Sequence, residues 1–373
     1  MTSQRIAIVQ DYVPRYRVGF FDRLVYQLGE AGLECVIVAG PAPNYNVGRG
    51  DAVDSAPWMR QVDPPRDFRL WNKGPRFFGY GTDRHWRDCG SVIFGLRGAS
   101  VDLNLELLRK SHRRRKVGAW GHLSRSVNPP NAVDLAVERW QMRQSDHVFA
   151  YTQCGVDQAV ADGIPRNKVT AVMNSIETGE LIAEHDKLAA RDLLEFCDKY
   201  GLTPGKIFAF IGGLDASKRI EFLMEALDIL WTLDCDAKLL VVGRGVQEKI
   251  LSRAVRRGQV VMFGYGGPAE KGLICRLSQA LVNPGRIGLV AVDALAVGIP
   301  ILTTSWKLHA PEYEYLEHSV DVFESIDDPS KFASLMVNHL NVETQFRERL
   351  VREYPTIDHM ALNFAAGILE MLA

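Results

Sequence analysis

Residues 281–316 read LVNPGRIGLVAVDALAVGIPILTTSWKLHAPEYEYL, and the order of loop, helix and strand in this stretch sets the reading of the whole chain. Asn283-Pro284-Gly285-Arg286-Ile287-Gly288-Leu289 is a loop with two glycines and a proline, and 290–297 predicts a short apolar helix. Gly298 and Pro300 stop that helix, and Ile301-Leu302-Thr303-Thr304 predicts a buried strand. A glycine-rich loop feeding a helix leaves backbone amides aimed at the loop, with the positive end of the helix dipole behind them. That arrangement seats an anion, and a phosphate suits it best. Asp293 falls in the first turn of the helix, where its carboxylate has two readings. It accepts the ribose hydroxyls of a nucleotide, or it only complements the dipole, and spacing alone favours the second.

Working outward, the same strand, loop and helix plan recurs. Upstream, KIFAFI at 206–211 predicts a strand, followed by the loop Gly212-Gly213-Leu214-Asp215-Ala216-Ser217-Lys218-Arg219 and a helix at 220–233. AKLLVV at 237–242, with Gly243-Arg244-Gly245, and VVMFGY at 260–265 repeat it. Farther up, RIAIVQ at 5–10, a helix at 20–31 and CVIVA at 35–39 form a strand-helix-strand unit, and strands follow at 91–96, 116–120, 146–152 and 168–173. A charged helix at 179–200 leads into the second half. Helices at 328–341 and 345–352, a break at Pro355 and a last helix at 360–372 complete the chain. The fold class is therefore α/β with two doubly wound parallel domains. The first loop lacks GxGxxG, which counts against a dinucleotide-binding oxidoreductase.

The 373 residues are too many for one small core and suit two domains. With 44 Lys plus Arg against 45 Asp plus Glu, the formal net charge is -1, so no global signature for binding nucleic acid exists. Six scattered cysteines without metal spacing, and a start that enters a strand directly, predict a reducing cytosol. No apolar run approaches the ~20 residues that cross a bilayer. Between 41 and 89 the composition shifts to Pro, Gly, Asn and aromatics, with Trp58, Trp71 and Trp86 among them. Such a segment covers the domain, or it lines an acceptor pocket. Arg109-Lys110-Ser111-His112-Arg113-Arg114-Arg115-Lys116 is a basic run at a helix C-terminus, a solvated patch by default. Its alternative role is peripheral contact with anionic lipid at the inner membrane surface.

The quoted stretch resembles the donor-binding segment of retaining glycosyltransferases with two facing Rossmann-like domains, the GT-B architecture of group 1 or family four. Those enzymes carry a Glu, seven residues, then a second Glu at the head of such a helix, followed by Gly-x-Pro before a strand. Here Asp293 stands at the second acidic position, Gly298-Ile299-Pro300 is the Gly-x-Pro, and Gly285 replaces the first Glu. The 212 loop resembles the family's Gly-Arg-Leu…Lys segment, whose Arg and Lys neutralise the donor diphosphate. Lys218 keeps the lysine, and Gly213 stands where the Arg would be. His122 follows the strand KVGAW, where the family has a histidine beside the donor sugar. Arg17 and Gly19 fall in a loop that the family places near the phosphates and acceptor. Asn174-Ser175-Ile176-Glu177 closes the first domain as an Asn-Gly-Ile-Asp type sequence does in the family.

The resemblance implies an acceptor-side domain at 1–176, with a terminal helix at 356–373 crossing back onto it, and a nucleotide-sugar domain at 177–355. It implies donor contacts from Gly212, Gly213, Lys218, Tyr265, Gly285, Arg286, Ile287, Gly288, Leu289 and Asp293, with His122 and Lys218 catalytic. Arg17 and Gly19 fall to the acceptor loop. The substrates implied are a nucleotide-diphosphate sugar and a sugar, glycolipid or small-molecule acceptor, with no cofactor and no metal. For the missing arginine, Arg219 and Arg286 are the candidates, and Arg286 is favoured because Arg219 begins a helix. The segment offers no paired nucleophile and acid, so same-face displacement fits better than double displacement. A catalytically inactive sugar-nucleotide-binding subunit and a nucleotide-sugar epimerase remain the rivals.

Overall fold

Short apolar runs, buried on both faces, form the strands of two parallel sheets, and that double burial is why they read as continuous hydrophobic segments rather than alternating ones. The computed structural model describes residues 4–42, 51–69, 76–113, 115–123, 132–340, 346 and 352–373. They divide into two compact units, Met1–Glu177 with Pro355–Ala373, and Thr178–Tyr354.

In the first unit the strands are β1 (Gln4–Val9), β2 (Leu33–Ala39), β3 (Met59–Gln61), β4 (Arg66–Arg69), β5 (Arg76–Gly79), β6 (Ser91–Gly95), β7 (Lys116–Gly121), β8 (His147–Ala150) and β9 (Val169–Ala171). Seven form a parallel sheet in the order β3-β2-β1-β6-β7-β8-β9, and β4 and β5 form a separate antiparallel pair. The chain winds outward from β1 to one side and then, starting at β6, to the other. Helix Val18–Glu30 covers one face with Phe20, Phe21, Leu24 and Leu28. Helix Ile357–Leu372 packs beside it, its Phe364 stacked on Phe149 at 4.5 Å and edge-on to Trp120 at 5.0 Å. Gly367 permits that approach, because a Cβ there would lie 2.8 Å from the Phe149 ring.

The segment rich in aromatics covers the unit. Trp58 and Trp86 are buried, their indole N–H groups donating to Asp22 at 2.7 Å and Glu106 at 3.0 Å, while Trp71 lies outside the described residues. The basic run is not uniformly solvated. Arg115 pairs with Glu106 at 3.2 Å in a buried salt bridge and donates to the Arg87 carbonyl. It is drawn in by Glu106, a buried carboxylate on helix Val101–Arg113 whose charge a nearby cation offsets. Arg114 and the side chains of residues 110–113 lie outside the described residues.

In the second unit β10 (Ile207–Ile211), β11 (Lys238–Val242), β12 (Val260–Gly264), β13 (Ala280–Val282), β14 (Ile301–Thr304) and β15 (Val322–Ser325) form a parallel sheet in the order β12-β11-β10-β13-β14-β15. The charged stretch 179–200, expected as one helix, is two: Gly179–Asp186 and Ala190–Tyr200. Leu188 turns toward the core between them, and Ala189 adopts extended geometry to start the second. Asp328 caps helix Pro329–Asn338 through the amides of Ser330 and Lys331. Asp327 does not cap, and binds Arg219 instead. The helix expected at 345–352 lies outside the described residues, Phe346 and Arg352 apart.

Candidate active site

β10 pairs with β11 on one side and β13 on the other, so the chain leaves this central strand in opposite directions. Ligands of open parallel sheets bind beyond the carboxyl ends of the strands at such a switch point. The two loops that emerge there are 212–219 and 283–289, the pair the sequence singled out. Asp215 shapes the first, its Oδ1 accepting from the Ser217 amide at 2.8 Å and the Ser217 hydroxyl at 2.6 Å to close the turn Ala216–Lys218. The second loop docks on it, with the Arg286 amide donating to the Ser217 carbonyl at 2.8 Å. Gly285 is buried at this contact, and a Cβ there would lie 2.4 Å from the Ser217 oxygen and 2.7 Å from the Lys218 Cα. The absence of a side chain at 285 is thus built into the docking of two backbones. The turn 243–245 packs as tightly beneath, where a Cβ on Gly243 would meet the Gly212 oxygen.

Four cationic or donor side chains gather around these loops. Half-buried Lys218 donates its Nζ to the Arg286 carbonyl, and desolvation pulls its pKa down to about 8, assisted by Arg286 and opposed by Asp215 and Glu312. Arg286 donates its Nε to the Leu308 carbonyl at 3.3 Å. Arg219 holds Asp327 in a fork at 2.6 and 3.1 Å and also reaches the Pro284 carbonyl at 3.0 Å, with its guanidinium over Phe222. It therefore braces the 283–289 loop. His309, unnoticed in the sequence, is 6% exposed and stacked on Tyr313 at 4.1 Å. Its Nδ1 accepts from the Ile287 amide at 3.2 Å, which assigns the proton to Nε2, and that atom is buried without a partner. Burial, with Lys218 and Arg286, lowers its pKa to about 4, so the ring is neutral.

Gly288 and Leu289 lead into helix Val290–Val297. Asp293, in its first turn, is 4% exposed and accepts from Lys271 Nζ at 2.8 Å through Oδ2. Burial works against the Lys271 ammonium, but Asp293 outweighs it and the lysine pKa is raised. Neither sequence reading of Asp293 included this lysine. Tyr265 is exposed.

In the first unit, His122 follows β7, exposed, with its ring tilted against that of Tyr151 at 4.2 Å. Arg17 ends the turn Arg15–Arg17 and is buried. Gly19 is not in a loop: the helix begins at Val18, one residue beyond that turn, so that Phe20 and Phe21 enter the core, and the Gly19 carbonyl accepts from Arg23.

Residues 205–341, which contain both switch-point loops, match the family described as glycosyl transferases group 1. That segment is what the chain shares with group 1 glycosyl transferases. The chain is 22% identical over 215 residues to an uncharacterized 41.2 kDa protein in the cps region of Klebsiella pneumoniae, a match covering 56% of this chain and 55% of that protein, about half its length. It is 22% identical over 344 residues to a glycogen synthase of Mycobacterium tuberculosis, covering 81% of this chain and 78% of that one. The crystal structure of Anabaena HepE in complex with UDP superposes with a TM-score of 0.63 at 12% identity, covering 99% of this chain and 97% of that one. The two parallel-sheet α/β units match the fold of GT-B glycosyltransferase neighbours, and the segment similar to group 1 glycosyl transferases lies in the second. Among the described residues, no helix is long and apolar enough to cross a membrane.

Proposed function

We propose that the chain is a retaining glycosyltransferase that moves a sugar from a nucleoside-diphosphate donor to an acceptor hydroxyl, binding the donor through the second unit and the acceptor through the first. The observation that carries this reading is the meeting of loops 212–219 and 283–289 at the switch point beside β10, with Lys218, Arg286 and His309 around it, inside the segment that matches group 1 glycosyl transferases. The solved relative bound to UDP makes a uridine diphosphate sugar the first donor to try.

In this reading the amides at the head of helix Val290–Val297 and the Lys218 ammonium take the diphosphate, and the neutral Nε2–H of His309 donates to one of its oxygens. Arg286 adds the charge that Gly213 does not supply. Asp293, with Oδ2 held by Lys271, accepts ribose hydroxyls through Oδ1. Gly212, Gly213, Gly288 and Leu289 let the backbone approach the nucleotide, Ile287 fixes the loop in the core, and Tyr265 flanks the base. The bond from the anomeric carbon to the diphosphate oxygen breaks as the acceptor oxygen bonds to the same face. The acceptor proton passes to the departing phosphate oxygen. Fixed positive groups stabilise the leaving charge, so the step needs no metal.

Turnover of a radiolabelled donor with and without a panel of acceptors tests the reading. Sugar transfer with the anomeric configuration kept, read by proton NMR, supports it. Epimerised donor without transfer, or nucleotide binding with no turnover under any acceptor, selects one of the rivals. A thermal-shift screen in which no nucleoside diphosphate raises the melting temperature overturns donor binding altogether.

A further inference from the structure

Arg17 is 5% exposed, and among the described residues no carboxylate binds it. Its Nη1 donates to the Met360 thioether at 3.5 Å, a weak acceptor. Its Cζ lies 5.1 Å from the Trp120 ring, 5.3 Å from Tyr16 and 5.7 Å from Tyr151. Acidic side chains on the same elements are engaged elsewhere: Asp11 by Arg97, Asp22 by Trp58, and both Glu177 and Asp358 by Arg23. Aromatic faces attract a cation, yet they do not replace the solvation a guanidinium loses on burial. A second donor belongs to one of these rings. The indole Nε1 of Trp120, itself 4% exposed, is buried with no hydrogen-bond partner.

An indole N–H and a guanidinium can only donate, so a site built from the two calls for an acceptor, and the uncompensated charge calls for an anionic one. Arg17 follows β1, Trp120 is the penultimate residue of β7 and Tyr151 follows β8, so the cluster lies at the carboxyl ends of the strands, where parallel sheets take ligands. We propose that Arg17 and the Trp120 indole hold an anionic oxygen group, phosphate or carboxylate, carried by the acceptor. The word acceptor rests on the function proposed above. The anion site itself stands on the first unit alone, because every residue in it belongs to that unit.

The indole proton of Trp120, assigned by its loss in Trp120→Phe, reports the site in a nitrogen-15 correlation spectrum of the full chain. Inorganic phosphate and glucuronate are titrated separately, first alone and then with UDP present. The expected result is a saturable shift of that resonance by one of them, which names the phosphate or the carboxylate source, and at least ten-fold weaker binding in Arg17→Met. Arg17→Lys should recover part of the affinity. Trp120→Phe, which keeps the ring and loses the donor, should weaken binding about three-fold as read on neighbouring amides, and covers the case in which Arg17→Met does not fold. The proposal is overturned if neither anion moves the resonance, or if the shift survives in Arg17→Met. It is also overturned if UDP alone moves the resonance and blocks the other two, since the site would then serve the donor. Loss of UDP binding with the phosphate shift intact would instead strike the nucleotide reading.

Discussion

Beside the carboxyl ends of their strands, the two units treat buried charge in opposite ways. In the second, each cation near the switch point meets an internal partner: Lys271 has Asp293, Arg219 has Asp327, and Lys218 has the Arg286 carbonyl. In the first, Arg17 is surrounded by aromatic rings and a thioether. Cations held by internal partners are already in position before a substrate arrives, and removing a partner leaves a buried charge exposed to its full desolvation cost. A cation without such a partner destabilises the fold until a ligand answers it.

The sharpest test of the contrast is Asp293→Ala. It strands Lys271, and because that side chain is 27% exposed we expect the low end of the usual cost, about 3 kcal/mol, read as a lower urea midpoint for the second unit. Adding Lys271→Met should return most of it. An unchanged midpoint in the single variant would mean the pair contributes nothing to the fold. Gly285→Ala comes next. Its methyl would press on the Ser217 carbonyl and separate the two loops, costing ~2 kcal/mol, and UDP affinity should fall with it. Gly285→Glu should be worse, and higher transferase activity in that variant would contradict the docking of the loops.

A smaller effect follows from Lys218. Its ammonium is present below its pKa of about 8 and is lost as pH rises through that value, so UDP affinity should fall above about pH 8, by at most ~10-fold per pH unit. Calorimetric titration at pH 7 and 9 measures this, and Lys218→Met should flatten the difference. A wild-type affinity independent of pH across that range would remove the lysine from the diphosphate. Smallest in size and opposite in sign is Arg17→Met without ligand. Its urea midpoint should stay level or rise, within ~1 kcal/mol, whereas a large loss would show that the aromatic surroundings stabilise the cation outright.

Much of the fold was legible in the sequence, because parallel strands buried on both faces leave apolar runs such as IFAFI and KLLVV bounded by glycine loops. Both switch-point loops were legible for the same reason. What was not legible was the pairing across them. Lys271 and Asp293 are 22 residues apart and Arg219 and Asp327 are 108 apart, and such separations leave no periodic trace. His309 lies inside the quoted stretch itself, but a single histidine in an irregular loop carries no signal until its Nδ1 is seen to accept from Ile287. The split at 187–189 was missed because charged residues on both sides keep the helical pattern continuous while one leucine turns inward.

The helix Ile357–Leu372 has a consequence for how the protein is made. Phe364, Ile368 and Met371 complete the core that Phe20, Trp120 and Phe149 begin, yet the ribosome must first produce all of Thr178–Tyr354. At ordinary synthesis rates that interval is on the order of 10–35 s. Throughout it the nascent first unit presents an unfinished apolar face, a substrate for holding chaperones, while the second unit, continuous in sequence, can close before it.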